Sequence, residues 1–228
     1  MNALAAKLGL SNTLEFQDVY SFDSPGELAH IPRPALALLV IIPLTKSWAQ
    51  DREDEDANKG PYNGCGAEEP VIWFKQTIGN ACGSIGLLHS LINGPAVDFI
   101  TPDSDLDKIR KSAIPLKMSE RAEMLYNNQA FEHAHKSVEQ EGDSYTDAEV
   151  ERKGGHFVSF VKNGGKLWEL EGDRKGPLDR GVLKDDEDVL SPRALELGIK
   201  RIIEMSKGEG GEGMLFSCIA LARKVEIA

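Results

Sequence analysis

The longest apolar run in the chain, Ala35 to Leu44, does most to limit what it can fold into. Ile31-Pro32-Arg33-Pro34 precedes it, and residues before and at proline favour an extended approach. Pro43 interrupts the run, which is about half the length that a membrane span requires. A continuous aliphatic stretch, without the alternation of a half-exposed strand, reads as a strand covered on both faces. A central strand is therefore expected over Ala35 to Ile42, between two layers. The 228 residues, 41% of them hydrophobic, suffice for one domain with a sizeable core, spanning residues 1–228.

Charge and cysteine usage narrow the setting. Acidic residues number 37 against 26 basic ones, a net charge of -11. That balance argues against nucleic acid or an anionic membrane as partner and suits a basic one, although solubility is the plainer use of most of those charges. Cys65, Cys82 and Cys218 cannot make an even disulfide framework, so a reduced, intracellular setting is expected. Met1 to Leu10 has neither the basic start nor the long apolar run of a signal peptide.

Chemistry is concentrated at Gln76 to Leu91. Ala81, Ile85, Leu88 and Ile92 recur at the spacing of one helix face, with Asn80 as N-cap and Asn93-Gly94-Pro95 as stop, so a helix is expected over about 80–93. Cys82 falls in its first turn, where free backbone N–H groups and the helix dipole favour thiolate and lower a cysteine pKa. Gln76, six residues earlier, has an amide that could join the Cys82 N–H as an oxyanion hole. A lone helical cysteine is ordinarily an inert core residue. Gly79, Gly83 and Gly86 around it are costly in a helix, and close approach of backbone or substrate would account for them. His89 lies about two turns, roughly 10 Å, along the axis and cannot serve Cys82 as base.

The second informative stretch is His156-Phe-Val-Ser-Phe-Val-Lys162, then Asn163-Gly164-Gly165, then Lys166-Leu-Trp-Glu-Leu-Glu-Gly172-Asp173, a β-hairpin. If Asn163-Gly164 is the two-residue turn, His156 faces Glu171; if Gly164-Gly165 is the turn, it faces Asp173. Asn-Gly is the stronger turn dipeptide and favours Glu171. Either register sets a carboxylate beside the histidine, the arrangement that orients a catalytic base.

The remaining segments read as follows. Residues 2–10 make a short helix ending at Gly9, and Ser11-Asn12 cap another turn towards Phe16, Val19 and Tyr20. Residues 51–70, acidic and aperiodic, read as an exposed loop. Helices follow near 103–112 and from Ser119 to about Gln140. His133 and His135 on the latter do not share a face, which disfavours a metal site and suits solvated surface. Glu139 to Gly155 is a long polar segment of a kind that is functional or disordered. Arg174 to Asp188 is charged connection. Ser191-Pro192 opens a helix to about Met205, Gly208 to Gly213 is a break, and Met214 to Ala222 is a last buried strand.

Cysteine, histidine and acid in this order resemble the ubiquitin C-terminal hydrolase family of cysteine peptidases. Q-T-I-G-N-A-C-G is similar to that family's nucleophile motif, and H-F-V-S-F-V with L-W-E-L-E-G to its histidine and acid motif. Ile31-Pro32-Arg33-Pro34 and Phe216 to Leu221 are similar to its first and last core strands. The resemblance implies Cys82 as nucleophile, His156 as acid and base, Gln76 as oxyanion donor, and Glu171 as third member where the family usually has Asp. It also implies an α+β, papain-like fold with an antiparallel sheet flanked by helices, a knotted backbone, and a crossover segment, here Glu139 to Gly155. The expected activity is hydrolysis of (iso)peptide, ester or thioester bonds at ubiquitin's C-terminal glycine, with small or unfolded leaving groups preferred. No cofactor and no metal are expected. The partner expected from the resemblance is ubiquitin, with related modifiers as further candidates; no nucleic acid or membrane is expected as partner, and a monomer of the cytoplasm or nucleus is expected.

Two rivals are weaker. A papain-type endopeptidase follows its nucleophile with Trp and carries its histidine about 130 to 150 residues downstream, whereas Gly83 follows here and His156 comes 74 residues later. A non-catalytic ubiquitin-binding scaffold has no need of Gln76, Cys82 and His156 together.

Overall fold

The computed structural model describes residues 1–22, 25–79, 81–139, 155–206 and 216–225. Its centre is a six-stranded antiparallel sheet in the order β1-β6-β2-β3-β4-β5. The strands are β1 (Leu14–Asp18), β2 (Ala37–Pro43), β3 (Gly155–Asn163), β4 (Lys166–Leu170), β5 (Leu178–Val182) and β6 (Ser217–Arg223). The aliphatic run is β2, between β6 and β3, and Ala37 to Val40 and Ile42 are all at most 1% exposed. Leu39 shares a core with Val161, Leu170 and Leu221. Leu38, Val40 and Ile42 share another with Val158, Phe160 and Ala220. The strand is thus apolar throughout because both of its faces are covered. The architecture is α+β.

One layer holds α1 (Asn2–Leu8), α3 (Cys82–Leu91), α4 (Asp105–Ala113), α5 (Met118–Tyr126) and α6 (Gln129–Glu139). The other holds α2 (Lys46–Ala57), α7 (Pro192–Leu197) and α8 (Ile199–Ser206). Gly9 ends α1 in the left-handed region (φ 110°), as only glycine does without strain. Ser191 caps α7 through the Ala194 N–H, with Pro192 in the first turn.

Several expectations are corrected. Residues 46–57 form α2, which takes in the first part of the loop expected over 51–70: Thr45 caps it through the Trp48 N–H, and Trp48 is fully buried. Its acidic face hid it, because arginines from distant segments, rather than an apolar stripe, hold it down. The turn expected after Ser11-Asn12 is β1, drawn into the sheet by β6 some 200 residues later. The long helix from Ser119 is two, since Asn128 accepts the Phe131 N–H and so caps α6. The helix from Pro192 breaks at Gly198, where a Cβ would lie 3.0 Å from the Phe160 ring. The charged connection after Arg174 contains β5, an edge strand held by the Lys166–Asp179 and Arg180–Glu169 ion pairs. Asn80, the crossover segment over 140–154 with the knotted path that depends on it, the break at 208–213, and Met214-Leu215 lie outside the described residues.

The hairpin register is also corrected. Ser159 pairs with Leu170 and Asn163 with Lys166, which makes Gly164-Gly165 the turn. Both glycines have positive φ, 58° and 71°, as a type I′ turn demands at both central positions. Asn163 instead stays in β3 and donates its side-chain amide to the Pro70 carbonyl. A tertiary hydrogen bond decided against the stronger local dipeptide.

His89 packs in the core as a neutral acceptor. It is fully buried, and Nε2 accepts the Phe74 N–H at 2.9 Å. Burial holds its pKa down at about 3. The unfolded chain takes up a proton near pH 6.5, while the folded one remains neutral to about pH 3, so stability is lost as pH falls through that window. Melting temperatures measured between pH 7 and pH 4 are expected to fall less steeply for His89→Gln than for the wild type, whatever its starting stability.

Candidate active site

Cys82 is the first residue of α3, half-buried, at the end whose backbone N–H groups point out of the helix. The helix lies unusually close to the sheet. A Cβ on Gly83 would lie 3.2 Å from the Phe157 ring, and one on Gly86 2.8 Å from Leu39 Cδ1. These two glycines therefore serve helix-to-sheet packing, whereas a Cβ on Gly79 would meet nothing. Burial pushes the Cys82 thiol up, the N–H groups of Phe157 and Gly83 pull it down, and the charge of Asp173 pushes it up again. The net direction is upward, opposite to what the helix terminus alone suggests, because desolvation of a half-buried sulfur outweighs the dipole.

His156 stands near the start of β3, opposite Ile42, and is 6% exposed. Its Nε2 lies 2.6 Å from Glu171 Oε1. In the observed register Glu171 would continue β4 as the diagonal neighbour of His156 on the same face, a position that a long side chain reaches. Glu171 is fully buried, and Oε1 also accepts the Asp173 N–H at 2.7 Å. Burial alone would raise its pKa; the hydrogen bond and charge of His156, the Asp173 N–H and Arg52 together hold it below the usual carboxylate range. Its carbonyl accepts the Trp73 indole N–H at 3.1 Å, which fixes the peptide. Asp173 is half-exposed, with Oδ2 at 4.0 Å from His156 Nδ1.

Behind the acid lies an ion-pair network that sequence reasoning missed. Arg174, fully buried, reaches Glu55 at 2.8 Å, Asp56 and Glu169 at 3.6 Å, and Glu171 at 3.9 Å. Arg180 bridges Glu55 and Glu169. Burial acts to raise the Glu55 pKa, but Arg180, Arg174 and Arg201 hold it at about 2. Arg52 of α2 lies 3.5 Å from Glu171 Oε2 and stacks over Trp48, whose ring centroid is 5.8 Å from that of His156. The acidic helix thus backs the histidine–acid pair. Thr45 before Lys46-Ser47-Trp48 was the one available signal for it.

Gln76 approaches from the other side. Its N–H donates to the Gly172 carbonyl at 2.9 Å, and a Cβ on Gly172 would lie 2.8 Å from Gln76 Cβ and 3.3 Å from Ile85 Cγ2. Gly172 is what lets the acid loop, Gln76 and α3 meet. The Gln76 Oε1 is buried without a hydrogen-bond partner among the described residues.

Cys65 is exposed and Cys218 is buried in β6, its thiol pushed up to about 12 by desolvation. His133 is exposed as expected, but His135 is half-buried and its Nδ1 lies 2.7 Å from Ser84 Oγ on α3, a correction to the solvated-surface reading. The packing of α6 against α3 brings the two together. His156, Glu171 and Asp173 place donor atoms within 4.8 Å of one another.

A helix-terminal cysteine and a buried histidine–carboxylate pair are the equipment of a thiol-dependent hydrolase. Residues 1–204 match the model of ubiquitin carboxyl-terminal hydrolase, family 1. The chain is 32% identical to ubiquitin carboxyl-terminal hydrolase 3 of Arabidopsis thaliana over 233 residues, 98% of this chain and 90% of the relative. It is also 32% identical to ubiquitin carboxyl-terminal hydrolase isozyme L1 of Rattus norvegicus over 223 residues, 98% of this chain and 94% of that one. Among solved structures, the Trichinella spiralis UCH37 catalytic domain bound to ubiquitin vinyl methyl ester superposes with a TM-score of 0.71 at 21% identity, covering 98% of this chain and 91% of that one. At that identity the likeness is one of fold. The chain belongs to the ubiquitin carboxyl-terminal hydrolase family.

The close approach at Gly172 can be tested directly. Gly172→Ala is expected to displace Gln76, to lower kcat at least tenfold with KM little changed, and to lower the melting temperature by several degrees, in steady-state kinetics and thermal melts.

Proposed function

We propose that this protein is a deubiquitinating cysteine hydrolase that cleaves bonds at the C-terminal glycine of ubiquitin. Cys82 Sγ attacks the glycine carbonyl carbon. The Cys82 N–H at the helix start and the Gln76 amide receive the oxyanion. His156 protonates the leaving amine, and the thioester left on Cys82 is hydrolysed by a water that gives its proton to His156. Glu171 holds the imidazole through Nε2, which leaves Nδ1 for the proton that moves. The observation that carries this reading is the 2.6 Å contact between His156 Nε2 and a fully buried Glu171, in a chain of this family.

The net charge of -11 suits the basic tail of ubiquitin, and related modifiers are candidate substrates on the same ground. A preference for small or unfolded leaving groups, action as a monomeric single domain, and a cytoplasmic or nuclear location complete the proposal. Cleavage of a fluorogenic ubiquitin amide with no cleavage of short peptides supports it, whereas binding of ubiquitin without turnover would leave the scaffold reading.

An electrophilic ubiquitin probe is expected to add once, on Cys82, by peptide mass spectrometry, with Cys65 and Cys218 unmodified and no activity in Cys82→Ala. Glu171→Gln is expected to lower kcat by roughly a thousandfold or more with ubiquitin binding retained, because an acid that orients the imidazole is worth several powers of ten in related triads. Glu171→Asp should lose tenfold or less, as the loop can shift to make up one methylene; steady-state kinetics with a binding assay reads both.

A further inference from the structure

A groove opens directly beside Gln76. Lys75 and Thr77, the residues on either side of that glutamine, form one wall, and α5 forms the other. Its volume is about 480 Å³, within the range of roughly 300 to 1,000 Å³ in which pockets hold a small ligand. Met118, Ala122 and Tyr126 come at i, i+4 and i+8, so a single apolar stripe of α5 lines it. Leu125 in the core and the buried Arg121–Glu69 ion pair hold α5 in place, so this wall stands ready before anything enters. Tyr126 is 65% exposed, an aromatic ring left at the rim. Lys75 brings no free charge into the groove: its Nζ donates to the Asp173 carbonyl at 2.6 Å and the Arg174 carbonyl at 3.1 Å, which leaves its methylene stem to an occupant. Glu123 is the carboxylate among the lining residues.

Consecutive Cα atoms are 3.8 Å apart, so the groove begins within about two residues' length of the Gln76 amide. On the acyl side of the bond the substrate ends in glycine, which has no side chain to place there. The leaving group does. We propose that this groove is a subsite for the leaving group, taking an apolar or aromatic side chain two or three residues beyond the scissile bond in a peptide released from ubiquitin. The inference rests on the hydrolase reading above and gives its preference for unfolded leaving groups a physical seat. An extended strand of two or three residues spans about 7 to 10 Å, enough to pass the Gln76 segment and reach α5. A folded conjugate has no such strand to lay down. Stacking on Tyr126 and contact with Met118 and Ala122 favour Phe or Leu, whereas Glu123 and the net charge of -11 oppose an acidic residue.

The test uses ubiquitin carrying an unfolded C-terminal peptide extension with Phe, Ser or Asp at the second and third positions after its last glycine. Release of the peptide is followed by mass spectrometry, and kcat/KM is compared with that for a ubiquitin aminocoumarin amide, whose leaving group is too short to reach α5. The Phe extension is expected to be cleaved about tenfold more efficiently than the Ser extension, as partial burial of an aromatic side chain would give, and the Asp extension less efficiently than either. In Tyr126→Ser, and separately in Met118→Ser, the ratio of Phe to Ser is expected to fall to about one, through KM. Equal cleavage of all three extensions by the wild type overturns the proposal. So does a loss in Tyr126→Ser that is as large on the amide as on the Phe extension, which would make the groove a seat for ubiquitin itself. A wild type that cleaves neither the extensions nor the amide sinks the functional reading; one that cleaves both without contrast sinks this inference alone.

Discussion

Glu171 is a carboxylate with no access to water, and an ionised group in that position is tolerated only when its oxygens are filled. The His156 imidazole, the Asp173 N–H, Arg52 and Arg174 fill them. Much of the protein is arranged around that requirement. The α2 helix is acidic because Arg174 and Arg180, buried behind the acid, need counter-charges in turn. Replacing one member of such a network leaves its partner buried and alone, which typically costs about 3 to 5 kcal/mol. The orientation of the imidazole is therefore secured by groups from α2, the acid loop and β4 together.

Close packing supplies the other half of the site. The N-terminus of α3 can sit against β3 because Gly83 and Gly86 present no side chain to Phe157 and Leu39. Gly172 does the same for Gln76. In each case absence of a Cβ brings a reactive group nearer than ordinary packing allows. The cost in helix propensity, about 0.5 to 1 kcal/mol per glycine, is offset by contacts with the sheet. Desolvation that comes with this packing acts against the thiolate.

Where local patterning and tertiary contact agreed, the sequence was legible. The aliphatic run gave away β2 as a central strand, Gly9 ended α1, Ser191-Pro192 opened α7, and the α3 periodicity placed Cys82 at a helix start. Legibility failed where the deciding partner was far along the chain. The α2 helix has almost no apolar stripe and is held by Arg174, Arg180 and Arg201; β1 and β5 are edge strands whose pairing partners or ion pairs define them. Asn163 was drawn out of the turn by the Pro70 carbonyl, and that moved the turn by one residue and each cross-strand partner by two.

The sequence by itself determined which chemistry was on offer: one cysteine at a helix terminus, a glutamine six residues before it, and a histidine ahead of a hairpin with two acids beyond. These follow from periodicity and turn chemistry, which act over a few residues. Only the tertiary structure decided which acid the histidine meets and through which nitrogen. With the Gly-Gly register, direct opposition would have chosen Asp173. The chain leaves the ladder after Leu170, and burial of the loop against Trp73 and Arg174 turns Glu171 inward and Asp173 towards solvent. Such a choice depends on desolvation and on partners roughly 100 residues away, and no local pattern encodes either.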